Sequence, residues 1–252
     1  MKRVKLSATI ITLNEERDLP RALQSVEKLA DEVVVVDSGS SDRTVEIARK
    51  FGAKVYVRKF DNYANQKNYA AGKVRGKWIL SLDADEVIPE KLAREINGAV
   101  GKKEYVAYVM SRRNIIFGRE IKHSRWSPDK HIWLWQKGKG KWVGEVHEEV
   151  VVKGKVAELA EAKVHYQYEK VGEFVGMIDR YTELEAEQNV AAGEKFSWRK
   201  LGWYPVLSFC RRFFYKKGFL DGKHGLVLCY LMAIYRLVTW VKIKELGEIE
   251  GG

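Results

Sequence analysis

Two cysteines, Cys210 and Cys229, are all that 252 residues offer for cross-linking, too few for the disulfide framework of a small secreted scaffold. The start, Met1-Lys2-Arg3, leads directly into an apolar, β-rich segment with no signal-peptide pattern, so the expected location is the cytoplasm. The apolar run Leu226 to Val241 falls short of the ~20 residues a spanning helix needs, and Arg236 interrupts it. There is no internal repeat and no low-complexity tract, which sets aside solenoid and disordered classes. Thr12-Leu13-Asn14-Glu15, after the first apolar strand, holds no glycine. A nucleotidyltransferase would need a Gly-rich phosphate loop at that point.

What is present is ordinary in bulk and specific in order. With 46% hydrophobic and 31% charged residues, the chain can bury a full core as a soluble or peripheral protein. Val4 to Thr12 reads as a strand, and Leu19, Leu23 and Val26 recur at helical spacing after it. Glu32 to Asp37 is a second strand, Ser38 to Asp42 a turn with N-cap chemistry, and Thr44 to Phe51 a helix. Ala53 to Val57, Tyr63 to Val74 and Lys77 to Leu82 continue the alternation. Apolar strands separated by helices predict a mostly parallel α/β sheet covered on both faces.

In such a sheet the C-terminal strand ends lie side by side, and ligands collect there. Three of these ends carry acidic or amide residues: Asn14 and Glu15, then Asp37, then Asp83 and Asp85. Side chains two apart on an extended segment share a face, so Asp83 and Asp85 can hold one hard cation such as Mg2+ or Mn2+, its shell completed by water and phosphate. The plainer reading of Asp-Ala-Asp-Glu is a turn that caps the helix beginning near Pro89.

The series Thr12-Leu13-Asn14-Glu15, Val36-Asp37-Ser38-Gly39-Ser40-Ser41-Asp42-Arg43-Thr44, Gln66-Lys67-Asn68 and Leu82-Asp83-Ala84-Asp85-Glu86 resembles the nucleotide-sugar half of family 2 glycosyltransferases with the GT-A fold. Val146-His147-Glu148 and Gly218-Phe219-Leu220-Asp221-Gly222-Lys223-His224-Gly225 point within it to the lipopolysaccharide-core, WaaE/KdtX-like branch. The resemblance implies that Thr12, Asn14, Glu15, Asp37, Ser38, Lys67, Asn68, Asp83 and Ala84 line the nucleotide-sugar site, with Lys67 where the family usually has an arginine near the nucleobase. It also implies that Asp83 and Asp85 carry the metal and the diphosphate. One departure stands out: relatives commonly show Arg-Leu-Phe-Arg where this chain has Trp133-Leu134-Trp135-Gln136. The two missing bases leave Arg112, Arg113 or Lys130 as substitutes.

Transfer from a nucleotide sugar also needs a group to take the acceptor's proton. Tyr105 to Ile116 and His131 to Gln136 alternate like strands, with Gly118, Gly138, Gly140 and Gly144 as turns, and predict a mixed β layer. Lys141 to Glu149 then places Glu145, His147 and Glu149 on one face if extended and Glu148 on the other. Glu148 is the first candidate for the base and Glu145 the second, and His147 is the candidate for metal or diphosphate contact. A solvated, charged edge strand is the commoner fate of such a run.

Net charge of +11 is concentrated late. From Lys195 to Lys244 eleven lysines and arginines face the single Asp221 and are interleaved with aromatics such as Trp198, Trp203, Phe214, Tyr215 and Trp240. That mixture suits a lipid interface, and the greasy Leu226 to Val241 run argues against a nucleic-acid face. Glu169 to Ala192 reads as an amphipathic helix with Val171, Phe174, Val175, Ile178, Tyr181 and Leu184 inward. The expected organisation is a catalytic domain over 1–168, divided into a nucleotide-sugar half (1–100) and an acceptor half (101–168), and a helical extension over 169–252. The extension would lie on the cytoplasmic membrane surface, near a lipid-linked glycan acceptor, or form a homo-oligomer. Alternatives are a nucleotidyltransferase, or a non-catalytic module that binds membrane or nucleic acid through the basic tail.

Overall fold

The computed structural model describes residues 4–102, 104–144 and 148–250, the last three by backbone alone. Four parallel strands open the chain: β1 (Leu6–Thr12), β2 (Glu32–Asp37), β3 (Lys54–Val57) and β4 (Trp78–Asp83), with α1 (Leu19–Val26), α2 (Thr44–Lys50) and α3 (Tyr63–Lys73) between them. A two-residue turn after Asp83 leads to the short β5 (Glu86–Val87), and α4 (Glu90–Ala99) starts behind Pro89. The later strands are β6 (Ala107–Ile116), β7 (Arg119–Ile121), β8 (Lys130–Gln136), β9 (Gly140–Val143), β10 (Glu149–Val152) and β11 (Val156–Tyr166). Helices α5 (Val171–Ala191), α6 (Trp198–Cys210) and α7 (Gly222–Glu250) end the chain.

The main sheet runs β3-β2-β1-β4-β8-β6-β11-β5, with β7 beside β6, and β9 and β10 pair separately. Order 3-2-1-4 in the parallel part follows from right-handed crossovers that carry helices to both faces. Strand β8 enters antiparallel beside β4 and turns the sheet mixed. Leu6, Ala8 and Ile10 of β1, Val34 to Val36 of β2 and Ile79, Leu80 and Leu82 of β4 are buried with Leu19, Leu23 and Val26 of α1. This hydrophobic interior is what fixes the strand ends where the site forms.

The chain divides into two compact units, residues 1–113 with 129–165, and 114–128 with 166–252. The second has its own core of Phe174, Met177 and Ile178 with Ile116, Ile121, Leu228 and Leu231, and a smaller one around Ala186, Trp240 and Ile243. Helix α5 therefore buries a narrower stripe than the sequence suggests. Phe174 and Ile178 face inward as expected, but Val171, Val175, Tyr181 and Leu184 are exposed, because Met177, Thr182 and Ala186 complete the packed face in their place.

The Gly218 to Gly225 segment is a tight structural knot in this second unit. A Cβ on Gly225 would stand 2.0 Å from the Gly218 carbonyl oxygen, and one on Gly218 would stand 2.3 Å from Ser124 Oγ. Between them the buried Asp221 accepts the Lys122 and His123 amides at 3.1 and 2.9 Å and lies 3.0 Å from His123 Nδ1. The helix that follows is longer than the apolar run that marks it. Within Gly218–Gly247 an 18-residue window has mean hydropathy 1.7 and is a third buried, so this helix is long and apolar enough by length and composition to cross a membrane.

Candidate active site

Register places the candidate residues before any side chain is considered. Thr12 pairs with Asp37 and Ile11 with Asp83, so the ends of β2, β1 and β4 form one line. Asp37 is buried at that edge, and its carboxylate accepts from Thr12 Oγ1 (3.0 Å), the Gly39 and Ser40 amides (2.9 and 2.8 Å) and Ser40 Oγ (2.5 Å). This is an Asx turn with every acceptor direction in use, and Gly39 at φ 99° supplies the left-handed residue it needs. Asn14, itself at φ 57°, accepts from the Ser41 amide at 2.9 Å and donates its own amide to Ser40 Oγ at 2.8 Å. The two loops are thereby clasped together.

Helix α3 reaches these loops through three successive side chains. Gln66 donates to Ser38 Oγ at 3.0 Å. Asn68 donates to the Trp142 carbonyl at 2.8 Å and accepts its amide at 3.0 Å, tying the helix to β9. Lys67 lies between two carboxylates, 3.0 Å from Asp83 Oδ1 and 2.9 Å from Glu148 Oε1. It is 7% exposed, against 30% for Asp83 and 18% for Glu148. Burial works against the Lys67 charge, yet Asp83 and Glu148 together hold the ammonium above its ordinary range. Burial likewise opposes the Asp83 carboxylate, and Lys67, Lys163 and Arg112 more than offset it, holding that group below the usual range.

Behind Asp83 the turn is locked by a second cluster. Glu86 and Lys163 are both fully buried and paired at 2.5 Å. Glu86 also accepts the Asp83 amide at 2.8 Å and faces Arg112 at 3.3 Å. Arg112 bonds Asp129 at 2.7 Å and packs over Trp133, and the Lys163 ammonium stands 3.6 Å from the centre of the same ring. Burial pushes Lys163 down to about 8 despite the Glu86 and Asp83 charges. Two bases thus surround Asp83 where Trp133-Leu134-Trp135-Gln136 supplies none. Arg112 was one of the three expected substitutes; Arg113 is exposed and Lys130 pairs with Glu158 on the surface.

Asp85 turns to a different partner, His165 Nε2 at 3.0 Å. Burial first, then the neighbouring Asp85 and Asp18 carboxylates, push the Glu15 carboxyl up to about 7. Folded protein then binds a proton on Glu15 that the unfolded chain lacks between pH 4.5 and 7, so stability falls as pH rises through that window, by at most about 1.4 kcal/mol per pH unit for one proton. We expect Glu15→Gln, neutral at every pH, to flatten the decline in melting temperature between pH 5 and pH 7. An unchanged slope would place the responsible proton elsewhere.

The structure therefore gathers Thr12, Asn14, Glu15, Asp37, Ser38, Lys67, Asn68, Asp83, Ala84, Asp85 and Glu148 along one edge of the first unit. Glu145 and His147 lie outside the described residues. Among the described residues no three His, Cys, Asp or Glu side chains converge as a metal centre. Glu86 reads from the sequence as a possible helix cap, yet α4 has no side-chain cap and Glu86 instead holds the Asp83 amide and Lys163. Lys163 and His165 are not among the sequence candidates, although a lysine and a histidine two apart on a strand are a signal that both face one side.

Residues 7–152 match the family model for glycosyl transferase family 2. The chain belongs to that family. As a family 2 glycosyltransferase it is an enzyme that uses a nucleotide-sugar donor, and its sheet is of the GT-A type. An uncharacterized glycosyltransferase of Rickettsia typhi is 32% identical over 96% of this chain and 88% of its own length. The lipopolysaccharide core biosynthesis glycosyltransferase LpsC of Rhizobium meliloti is 28% identical over 96% of this chain and 93% of its own. The crystal structure of S. aureus TarS covers 87% of this glycosyltransferase and 46% of that chain, at 16% identity and a TM-score of 0.49.

Proposed function

We propose that this glycosyltransferase moves a sugar, with inversion, from its nucleotide donor to a lipid-linked glycan such as lipopolysaccharide core at the cytoplasmic face of the membrane. The observation that carries the reading is the Lys67 ammonium within 3.0 Å of both Asp83 and Glu148. It sets a donor-side carboxylate and a second carboxylate beside one ammonium, and in a single displacement the second would serve the face of the anomeric carbon opposite the departing diphosphate. Glu148, approached from β10, takes the proton of the attacking hydroxyl. One base and no covalent intermediate give inversion at the anomeric carbon. Thr12, Asn14, Asp37 and Ser38 shape the nucleoside end of the cleft, and the Glu86 cluster keeps Asp83 in place.

Asp83 and Asp85 would hold Mn2+ or Mg2+. They fit: both are hard oxygen donors, each about a third exposed, and such an ion needs only one or two carboxylates when phosphates complete its shell. Bound there, it would neutralise the charge that develops on the departing nucleoside diphosphate. The test is release of nucleoside diphosphate from a panel of nucleotide sugars with Mn2+. Wild type should hydrolyse one of them slowly without acceptor, and Asp85→Asn should lose ~10²-fold or more. Equal rates in both would remove Asp85 from the metal site.

The lipid-linked acceptor is supported by LpsC, whose name places it in lipopolysaccharide core biosynthesis, and by the surface of the second unit. Helix α6 has no buried residue. Trp198, Trp203, Phe214, Tyr215, Phe219 and Leu220 are exposed among Arg199, Lys200, Arg211, Lys216 and Lys217, a basic-aromatic face suited to anionic headgroups. We expect the enzyme to sediment with anionic liposomes at low salt, and Trp203→Ser with Phe214→Ser to release most of it. Retention of that double variant would refute this face as the anchor. On α7, Val227, Tyr230, Ile234, Leu237 and Val241 are exposed at three- and four-residue spacing, which favours a helix partner as a second reading, a homo-oligomer through that stripe.

A further inference from the structure

A divalent ion at Asp83 needs lone pairs of that carboxylate, and Lys67 already engages Oδ1 at 3.0 Å. The same ammonium is 2.9 Å from Glu148 Oε1 and 4.7 Å from the centre of the Trp142 ring. All three contacts favour positive charge, and Asn68 fixes that ring's backbone to the next residue of the helix. The seat is thus built for one cation and is largely closed to water. Two cations on one carboxylate in such a place repel strongly, because little solvent remains to screen them. The neighbouring bases do not share this duty, since Lys163 is committed to Glu86 and Arg112 to Glu86 and Asp129. Asp83 can serve the lysine or a metal ion, and can serve both only when another anion stands between them.

We propose that Lys67 is a resident counter-cation that keeps a divalent ion off Asp83 in the nucleotide-free enzyme, so that metal enters only together with a diphosphate. The diphosphate gives the ammonium a replacement partner, and the same displacement uncovers Glu148 for the acceptor. Lys67 is then a positioning residue that makes metal uptake conditional on the donor. This rests on the reading of Asp83 and Asp85 as the metal-holding pair.

The experiment is calorimetric titration of the full chain with Mn2+ alone, in wild type, Lys67→Met and Lys67→Arg, followed by titration with the Mn2+ complexes of UDP and GDP. Lys67→Met should bind Mn2+ alone at least tenfold more tightly than wild type. Lys67→Arg, which keeps the charge, should behave as wild type. Adding Asp83→Asn to Lys67→Met should erase the gain. Equal Mn2+ affinity in wild type and Lys67→Met, or a gain that survives Asp83→Asn, would overturn the proposal. The underlying reading is judged separately: wild-type binding of a Mn2+ nucleotide complex that Asp85→Asn abolishes upholds the metal pair whatever Lys67 does. Should Lys67→Met not fold, Lys67→Gln keeps a hydrogen-bond donor between the carboxylates. Mn2+ should then raise the melting temperature of Lys67→Gln and not that of wild type, and equal responses would again overturn the assignment.

Discussion

Replacing Glu148 by glutamine is expected to lower turnover by ~10²-fold or more, the usual scale of general acid-base catalysis, while leaving nucleoside diphosphate affinity near wild type. Glutamine keeps the shape of Glu148 and can still accept a hydrogen bond from Lys67, 2.9 Å away, but it cannot take a proton. The change therefore removes chemistry and leaves the donor site standing. Steady-state release of nucleoside diphosphate gives turnover and calorimetric titration gives affinity. Glu149→Gln is the control, since Glu149 begins β10 as an exposed residue and should be near neutral. If Glu145→Gln abolishes turnover and Glu148→Gln does not, the base is Glu145. If affinity and turnover fall together in Glu148→Gln, the residue holds the donor site and is no base.

The largest stability effect should come from Glu86→Leu, about 3–5 kcal/mol, the cost of stranding one member of a buried ion pair. Lys163 is fully buried 2.5 Å from Glu86, and the Asp83 amide and Arg112 would lose an acceptor at the same time. Arg112 keeps Asp129, so the orphaned Lys163 charge dominates. Adding Lys163→Met to Glu86→Leu should recover most of the loss, because an apolar pair of similar volume costs little in such a place. Urea unfolding midpoints of the two variants and wild type measure both numbers. A loss under about 1 kcal/mol in Glu86→Leu would mean that water reaches Lys163.

The parallel half of the fold is legible in the sequence because its signals are local. Glu32–Asp37 reads as the strand it forms, and the Asp37 to Thr44 turn follows from residues that bond within four positions of each other. From the residues alone the candidate site is legible where a strand end carries it, while Lys67 and Asn68 on α3 come only through the family resemblance and Glu148 from the charged run before β10. Asp83 and Asp85 sit at or just past the end of β4, yet nothing in Asp-Ala-Asp-Glu says that one turns to Lys67 and the other to His165. Those partners lie 16 residues before Asp83 and 80 after Asp85, and only the mixed sheet order brings them together. Lys163 is harder still. A buried lysine looks like a surface lysine in a strand until its neighbours, Glu86 and Trp133, are known. Helix α5 misleads for the opposite reason, since an apolar residue does not announce whether a partner within the chain covers it.

Gln66, Lys67 and Asn68 make α3 a crossbeam, with its own surface spent on tying loops more than on packing. Inserting one residue just before Gln66 would rotate all three side chains by about 100° around the helix axis, and each would lose its partner in the same event. Substitutions on the outer face of α3 would be absorbed, but changes of its length would not. Among relatives that keep this geometry, insertions and deletions should therefore fall in the connections on either side of α3 and leave the spacing inside the helix unbroken. Hydrogen exchange offers the same contrast within one molecule: the α3 amides and the Trp142 amide, bound to Asn68 at 3.0 Å, should open as one unit.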